Sequence, residues 1–181
     1  MRRYIAFLRA INVGGHTVKM ERLRQLFESL EFAGVETFIA SGNVIFESPV
    51  ENPRKLEEQI ESHLRQALGY EVATFIRSAA EVAAVAAYQP FPAELDTEGS
   101  SLYVMFLASP LSSEAQHKLS GLRTAVDDFH AHGREVFWLC RKKISDSLVN
   151  GALLGKTIGG PTTMRNVTTV RKLAAKYAAQ Q

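Results

Sequence analysis

Two similar apolar segments constrain the fold of this chain more than any other feature of the sequence. Residues 4–8 have the sequence YIAFL and residues 103–107 have the sequence YVMFL. Continuous apolar runs of this length predict strands that are buried on both faces. A helical pattern follows each run, so the same series of elements starts twice. The chain is therefore predicted to contain two α+β halves of one architecture.

The first half predicts the order β-α-β-β-α-β plus one further helix. Asn52 and Pro53 are a typical N-cap and first helical residue, and Gly69 ends that helix. Ser78 and Glu81 have the spacing of a capping box. This order is typical of a ferredoxin-like fold. The predicted elements are strand 4–8, a helix from residue 20, strands 35–40 and 43–48, helix 53–68, strand 72–76 and helix 78–87.

The second half predicts β-α-β-β-α, with a final strand that is weak or missing. Ser112 or Ser113 caps its first helix, and a hairpin turns near residues 132–133. A short helix is predicted near residues 147–154 and a last helix from about Thr163 to residue 178. The predicted fold class is α+β, with duplicated ferredoxin-like halves and antiparallel sheets. The predicted domains are 1–88 and 102–181, joined by a Pro-rich and Gly-containing linker at 89–101.

Composition indicates a globular protein of the cytoplasm. The 181 residues are 46% hydrophobic and 22% charged, which is ordinary for a soluble domain. No apolar run approaches the roughly 20 residues of a membrane helix, and Arg9 interrupts the run nearest the N-terminus. Cys140 is the single cysteine, which excludes an internal disulfide and a multi-cysteine zinc site. We expect no membrane partner and no cofactor.

Charge is distributed unevenly along the chain. Residues 134–181 contain nine Lys and Arg residues against two acidic residues, a net charge of +7, and the remainder carries −5. A basic segment of this kind attracts phosphates or nucleic acid, or simply forms a solvated helix face.

Three polar turns are candidates for a binding site. The turns are residues 12–16, 41–43 and 162–166; the first and third adjoin predicted helix starts and cationic side chains. Helix starts and Arg side chains favour anions. The last helix would place Arg165, Thr169 and Lys172 on one polar stripe. Turn geometry alone also explains the glycines and Asn43. The candidate residues are Arg9, Asn12, Gly14, Gly15, Lys19, Ser41, Asn43, Arg165, Asn166 and Thr169.

The same residues resemble a known family. LRAINVGGH at 8–16, VKM at 18–20, SGNV at 41–44 and TMRN at 163–166 with Thr169 are similar to the bacterial domain-of-unknown-function 1697 family. The resemblance spans nearly the whole chain and implies two ferredoxin-like halves, with no established activity. Family members usually carry a tryptophan where this chain has Val167.

We expect a binding protein without catalysis. Its ligand would be a phosphorylated small molecule or nucleotide, held by charge-assisted hydrogen bonds in a cleft where the three turns meet. Nucleic-acid binding through the basic C-terminal quarter is the first alternative. An enzyme of unknown reaction is the second, although the sequence shows no recognised catalytic set. Asp128, His130 and His132 alternate on a predicted strand, but a solvent-facing hairpin edge explains them better than a metal site does.

Overall fold

The structure, a computed structural model, describes residues 1–39, 42–92 and 99–177. The chain divides into two compact units, Met1–Ala84 with Leu173–Gln181, and Val85–Lys172. The domain limits and linker taken from the sequence stay a prediction, and residues 93–98 of that linker lie outside the described residues. None of the described helices combines the length and apolar character that a membrane span requires.

The first unit contains a four-stranded antiparallel sheet. Its elements are β1 (Arg2–Leu8), α1 (Met20–Glu28), β2 (Ala33–Thr37), β3 (Asn43–Ser48), α2 (Pro53–Leu68), β4 (Thr74–Ser78) and α3 (Ala79–Ala87), of which the last crosses into the second unit. The strand order is β2-β3-β1-β4, and every neighbouring pair is antiparallel.

The second unit repeats this arrangement. Its strands have the order β6-β7-β5-β8, again antiparallel throughout. Two four-stranded sheets with the same strand order and with alternating helices confirm the predicted α+β class, and they fit a duplicated ferredoxin-like fold. The elements are β5 (Ser101–Phe106), α4 (Ser113–Ser120), β6 (Asp127–His132), β7 (Glu135–Cys140), α5 (Gly151–Ile158), β8 (Thr163–Asn166) and α6 (Val167–Tyr177), whose residues from Leu173 belong to the first unit.

The two apolar segments occupy equivalent central strands. In β1, Tyr4, Ala6 and Leu8 belong to the core cluster that includes the buried faces of α1 and α2. Ile5 and Phe7 alternate with them and are also buried, so the predicted burial of both faces is confirmed. In β5, Met105 belongs to the corresponding core cluster, and Val104 and Phe106, on the other face, are equally buried.

The helix caps predicted from the sequence are confirmed at several positions. Asn52 accepts a hydrogen bond from the Arg54 amide, and Gly69 ends α2 in the left-handed conformation. Ser78 and Glu81 form the reciprocal capping box: the Ser78 amide donates to the Glu81 carboxylate, and the Glu81 amide donates to the Ser78 hydroxyl. The first of the two serines proposed for α4, Ser112, is its cap.

The end of the second half differs from the prediction. The last helix does not begin near Thr163, because Thr163–Asn166 forms β8 and α6 begins at Val167. The final strand is therefore present, paired with β5 so that Arg165 lies opposite Val104. The predicted short helix near 147–154 is also shifted: α5 covers Gly151–Ile158 and follows a 3-10 turn at Ile144–Asp146. The predicted stripe of Arg165, Thr169 and Lys172 on one helix is wrong, because Arg165 lies in a strand.

Candidate functional site

Two loops lie at the same edge of the sheet in the first unit. One, residues 9–19, joins β1 to α1; the other, residues 38–42, joins β2 to β3. Because β1 and β3 are antiparallel, the end of β1 lies beside the start of β3. The Leu8 amide donates to the Gly42 carbonyl at 2.8 Å, so the two loops begin from adjacent points. We call residues 9–19 the cationic loop because they include Arg9 and Lys19.

The cationic loop is held by side chains of its own and by Tyr70. The Asn12 side-chain oxygen accepts a hydrogen bond from the Val18 amide at 2.6 Å, which closes the loop across its base. The Tyr70 hydroxyl donates to the Ile11 carbonyl at 3.1 Å. The His16 ring stacks on the Tyr70 ring with 3.8 Å between centroids. These contacts fix an exposed segment in one conformation, and the partial burial of Tyr70 raises the pKa of its hydroxyl.

The glycines of the cationic loop are required by backbone conformation. Gly14 has φ +70° and Gly15 has φ +87°, in the left-handed region that L side chains rarely adopt. A Cβ atom at either position would meet nothing within 4 Å, so neither glycine makes room for a packed neighbour. Ala10 also has a positive φ, +54°. The loop thus bends by left-handed residues while its outer surface stays open to solvent.

The loop carries two cationic side chains on its exposed surface. Arg9 and Lys19 are exposed, and neither has a carboxylate within ion-pair distance among the described residues. The Arg9 amide donates to the Ala73 carbonyl at 2.9 Å, and among the described residues no hydrogen bond holds its guanidinium. Lys19 immediately precedes α1, and its side chain makes no capping bond there. Four backbone N–H groups at the start of a helix lack intrahelical partners and favour anions nearby.

The second predicted turn has a structural role at the described positions. Ser41 lies outside the described residues. Asn43 is fully buried, at 0% exposure, and its amide nitrogen donates to the Phe38 carbonyl at 2.9 Å. The Phe38 amide donates to the Asn43 carbonyl in turn. Asn43 therefore closes the turn between β2 and β3, while Gly42 packs directly against Leu8 and Ile11.

The equivalent loops of the second unit are shorter. The Leu107 amide donates to the Arg134 carbonyl at 2.9 Å, as Leu8 does to Gly42, so Leu8 and Leu107 are equivalent positions. Eleven residues, 9–19, separate Leu8 from α1, whereas five, 108–112, separate Leu107 from α4. The same architecture is completed in the second unit with a minimal connection. The additional length of the cationic loop is therefore not needed to link strand to helix.

The third predicted turn lies in the second unit. Arg165 is 7% exposed, and its guanidinium donates to the Thr163 hydroxyl at 2.8 Å and to the Met164 carbonyl at 2.9 Å. Burial lowers the pKa of this guanidinium to about 10. Asn166 caps α6 by accepting from the Thr168 amide at 2.8 Å. Thr169 is half-buried in the first turn of α6.

Equivalent buried arginines occur in the two halves. Arg77 lies opposite Ile5 as Arg165 lies opposite Val104, and each guanidinium donates to the carbonyl of the residue before it. Sequence analysis missed Arg77, although its position before the capping box at Ser78 matches that of Arg165 before Asn166. It also missed Tyr70, because no sequence pattern links a residue after α2 to a loop that precedes α1.

A buried polar network organises the second unit. Asp127 accepts hydrogen bonds from the Trp138 indole at 2.9 Å, from the Ser147 hydroxyl at 2.9 Å and from the Thr124 hydroxyl at 3.2 Å. Cys140 is buried in β7, and burial raises the pKa of its thiol, which disfavours a nucleophilic thiolate. Within residues 1–39, 42–92 and 99–177, no three His, Cys, Asp or Glu side chains are grouped as metal ligands.

A cavity of about 470 Å³ lies in the first unit at the start of β1, the opposite end of that strand from the cationic loop. Its charged walls include Arg3, which is paired with Glu47 at 2.8 Å. Because the charges of Arg3 and Glu47 compensate each other, this cavity is a weaker candidate for an anion than the cationic loop.

Comparisons with known proteins identify a family and a fold. The family described as "Protein of unknown function (DUF1697)" matches residues 1–137. The structure is similar to that of the conserved bacterial protein SP0830 from Streptococcus pneumoniae, with a TM-score of 0.74 and 23% identity. That match covers 96% of this chain and 97% of the other. No curated protein matches the chain significantly.

Proposed function

We propose a function from the geometry of this chain, which belongs to the DUF1697 family of proteins of unknown function. The protein binds a phosphorylated small molecule or nucleotide at the cationic loop, and no covalent bond is made or broken there. The observation that carries this proposal is an extended loop, longer than its counterpart in the second unit. In a fixed conformation it holds two cations that have no ion-pair partner in the part of the chain that the structure describes.

The chemistry of the loop suits a phosphate group. The Arg9 guanidinium offers parallel N–H donors that match two phosphate oxygens, and the Lys19 ammonium adds a mobile point charge. The loop also contains Gly14 and Gly15, which let the backbone approach a ligand closely. Asn12, bonded to Val18, supports the loop conformation. A loop fixed before binding loses less conformational entropy when the ligand arrives.

Calorimetric titration tests the proposal directly. Inorganic phosphate, ribose 5-phosphate and AMP, ADP and ATP are titrated separately into the protein in a buffer free of phosphate and sulfate. Arg9→Ala and Lys19→Ala should each weaken binding about tenfold, which corresponds to a loss of about 1.4 kcal/mol. The control is Lys55→Ala with Arg65→Ala, which removes two exposed cations from α2 in the same unit.

The control variant distinguishes the effect of contacts in the cationic loop on ligand affinity from the effect of the protein's net charge. Binding that survives in the control variant and is lost in the Arg9→Ala, Lys19→Ala double variant supports the proposal. Equal losses in both would show that net charge alone attracts the ligand. If no phosphorylated compound binds the parent protein, or if the double variant binds like the parent, the proposal is wrong.

Nucleic-acid binding is the second candidate function, favoured by a specific observation. Lys142, Lys143 and Lys156 are exposed, and none of them has a carboxylate partner in the described part of the chain. Such a surface would bind RNA or DNA with an affinity that falls steeply with salt. Gel retardation at several salt concentrations tests this function. A flat salt response, or retardation that persists in the Lys142→Ala, Lys143→Ala variant, would count against it.

Two further proposals concern origin and location. We propose that the halves arose by duplication, which is supported by the equivalent positions of Arg77 and Arg165 in matching strands. A bacterial cytoplasmic location is supported by the single, buried Cys140 and by the bacterial protein of similar fold.

A further inference from the structure

Aliphatic side chains are exposed in both loops at the edge of the first unit. Val13 is 63% exposed in the cationic loop, and Ile39 is 51% exposed in the loop between β2 and β3. Apart from Met1, they are the large apolar side chains exposed to this degree among the described residues of that unit. The other large apolar side chains of the described sheet and helices in that unit are buried or partly buried, so high exposure is concentrated in these loops.

Ile39 is held in an unusual conformation. Its φ is +57°, and a β-branched residue rarely adopts positive φ because its branched Cβ crowds the backbone. Strained residues of this kind are often found where a surface contacts a ligand. Here the strain accompanies an apolar side chain that is turned toward water rather than into the core.

The two loops meet at their bases. A Cβ atom on Gly42 would lie 2.8 Å from the Ile11 side chain, so the backbone of one loop lies directly on a side chain of the other. Val13 is two residues beyond Ile11, and Ile39 is three residues before Gly42. Val13 and Ile39 are therefore exposed in two loops whose bases, at Ile11 and Gly42, are in contact, and one of these loops also contains Arg9 and Lys19.

We infer that the ligand of the cationic loop is a phosphate ester whose organic part is a flat ring system, such as a nucleoside monophosphate. This inference rests on the proposed function, because it assumes that the loop cations bind the phosphate. Two small aliphatic side chains offer apolar contact to the face of a ring, whereas the hydroxyl groups of a sugar gain nothing from them. Loops that combine cationic and apolar side chains therefore suit a ligand that has both an anionic phosphate and an apolar ring.

The inference predicts a ratio of affinities. Removing about 50 Å² of apolar surface from water corresponds to about a tenfold gain in affinity. AMP should therefore bind about tenfold more tightly than ribose 5-phosphate, which carries the same phosphate and sugar without the ring. Hexyl phosphate, which is apolar without a flat ring, should bind more weakly than AMP. Isothermal titration with these three compounds and with inorganic phosphate measures the ratios.

Two substitutions test whether Val13 and Ile39 contact the ring of the ligand. Val13→Thr preserves the shape of the side chain while adding a hydroxyl, and Ile39→Asn places a residue that tolerates positive φ. Combined, they should reduce the ratio of AMP affinity to ribose 5-phosphate affinity from about ten to about one. The control is Leu148→Thr, which alters an 88% exposed aliphatic side chain of the second unit. Circular dichroism and thermal unfolding verify that each variant is folded.

The outcomes separate the inference from the proposed function. A ratio near ten that collapses in the double variant and persists in the control supports the inference. Equal binding of AMP and ribose 5-phosphate overturns it while the phosphate site stands. Hexyl phosphate binding as tightly as AMP overturns the flat-ring class, and an unchanged ratio in the double variant overturns the assignment to Val13 and Ile39. If no phosphate compound binds at all, the proposed function fails as well.

Discussion

Replacement of Gly42 by alanine tests how the two loops are joined. Gly42 has φ +77°, and a Cβ atom there would lie 2.8 Å from Ile11 Cγ2 and 3.2 Å from Leu8 Cβ. Neither neighbour is the end of a flexible chain: one atom belongs to a β-branched side chain and the other adjoins the backbone. The substitution must therefore displace Ile11, and with it the base of the cationic loop.

Two terms determine the expected loss of stability. An L residue in the left-handed conformation costs about 1–2 kcal/mol. Overpacking a filled site adds about 1–3 kcal/mol. Gly42→Ala should therefore lower the free energy of unfolding of the first unit by about 2–4 kcal/mol, because the added methyl also restricts the unfolded chain and offsets part of the cost. Gly14→Ala is the matched control, since its φ is +70° and no atom lies within 4 Å of the new Cβ.

Urea unfolding separates these terms. Far-ultraviolet circular dichroism reports both units, and the fluorescence of Trp138, the single tryptophan, reports the second. Gly42→Ala should destabilise the transition seen by dichroism by at least about 1 kcal/mol more than Gly14→Ala does. It should also weaken binding at the cationic loop. Equal destabilisation by the two variants would refute the packing argument, because they differ only in the contacts that the Cβ makes.

Two other predictions concern buried polarity and charge. Asp127→Ala leaves the Trp138 indole and the Ser147 hydroxyl without their acceptor. The second unit should therefore lose about 2–4 kcal/mol of stability, and Trp138 fluorescence should shift. An unchanged midpoint of urea unfolding would contradict this prediction. The hydrogen bond from Lys176 lowers the pKa of Glu36 below its ordinary 4.5. The contribution of ionised Glu36 to folding stability is therefore complete above pH 4.5, and it is lost as the pH falls through the lower pKa of Glu36 in the folded protein. Glu36→Gln should flatten thermal stability between pH 5 and about pH 3, and an unchanged slope would contradict the assignment.

Local sequence signals predicted much of the first half. Asn52 with Pro53, Gly69, and the pair Ser78 and Glu81 act within one or two helical turns, so their effects do not depend on distant residues. The apolar run at residues 4–8 is long enough to identify a buried strand without knowing its partners. These elements are predictable because each signal and the structure that it determines are close in sequence.

Long-range pairing decided the end of the second half. The four residues Thr163–Asn166 are too short to show a strand period, and they precede a genuine helical pattern. They form β8 because β5 offers backbone partners, with Arg165 opposite Val104. Predicted as part of an exposed helix, Arg165 is instead buried and bonded to Thr163. A strand of this length is specified by its neighbour more than by its own sequence.

Some features of the candidate site can be predicted from the sequence, and others depend on the fold. From the amino-acid sequence it is already clear that residues 9–19 contain a glycine turn, flanked by Arg9 and Lys19, before a helix. Two features depend on the fold: the Tyr70 hydroxyl donates to the Ile11 carbonyl of that loop, and the Asn43 side chain donates to the Phe38 carbonyl. Chemical type and local turn preference belong to single residues, whereas burial and hydrogen-bond partners depend on which distant segments the fold brings into contact.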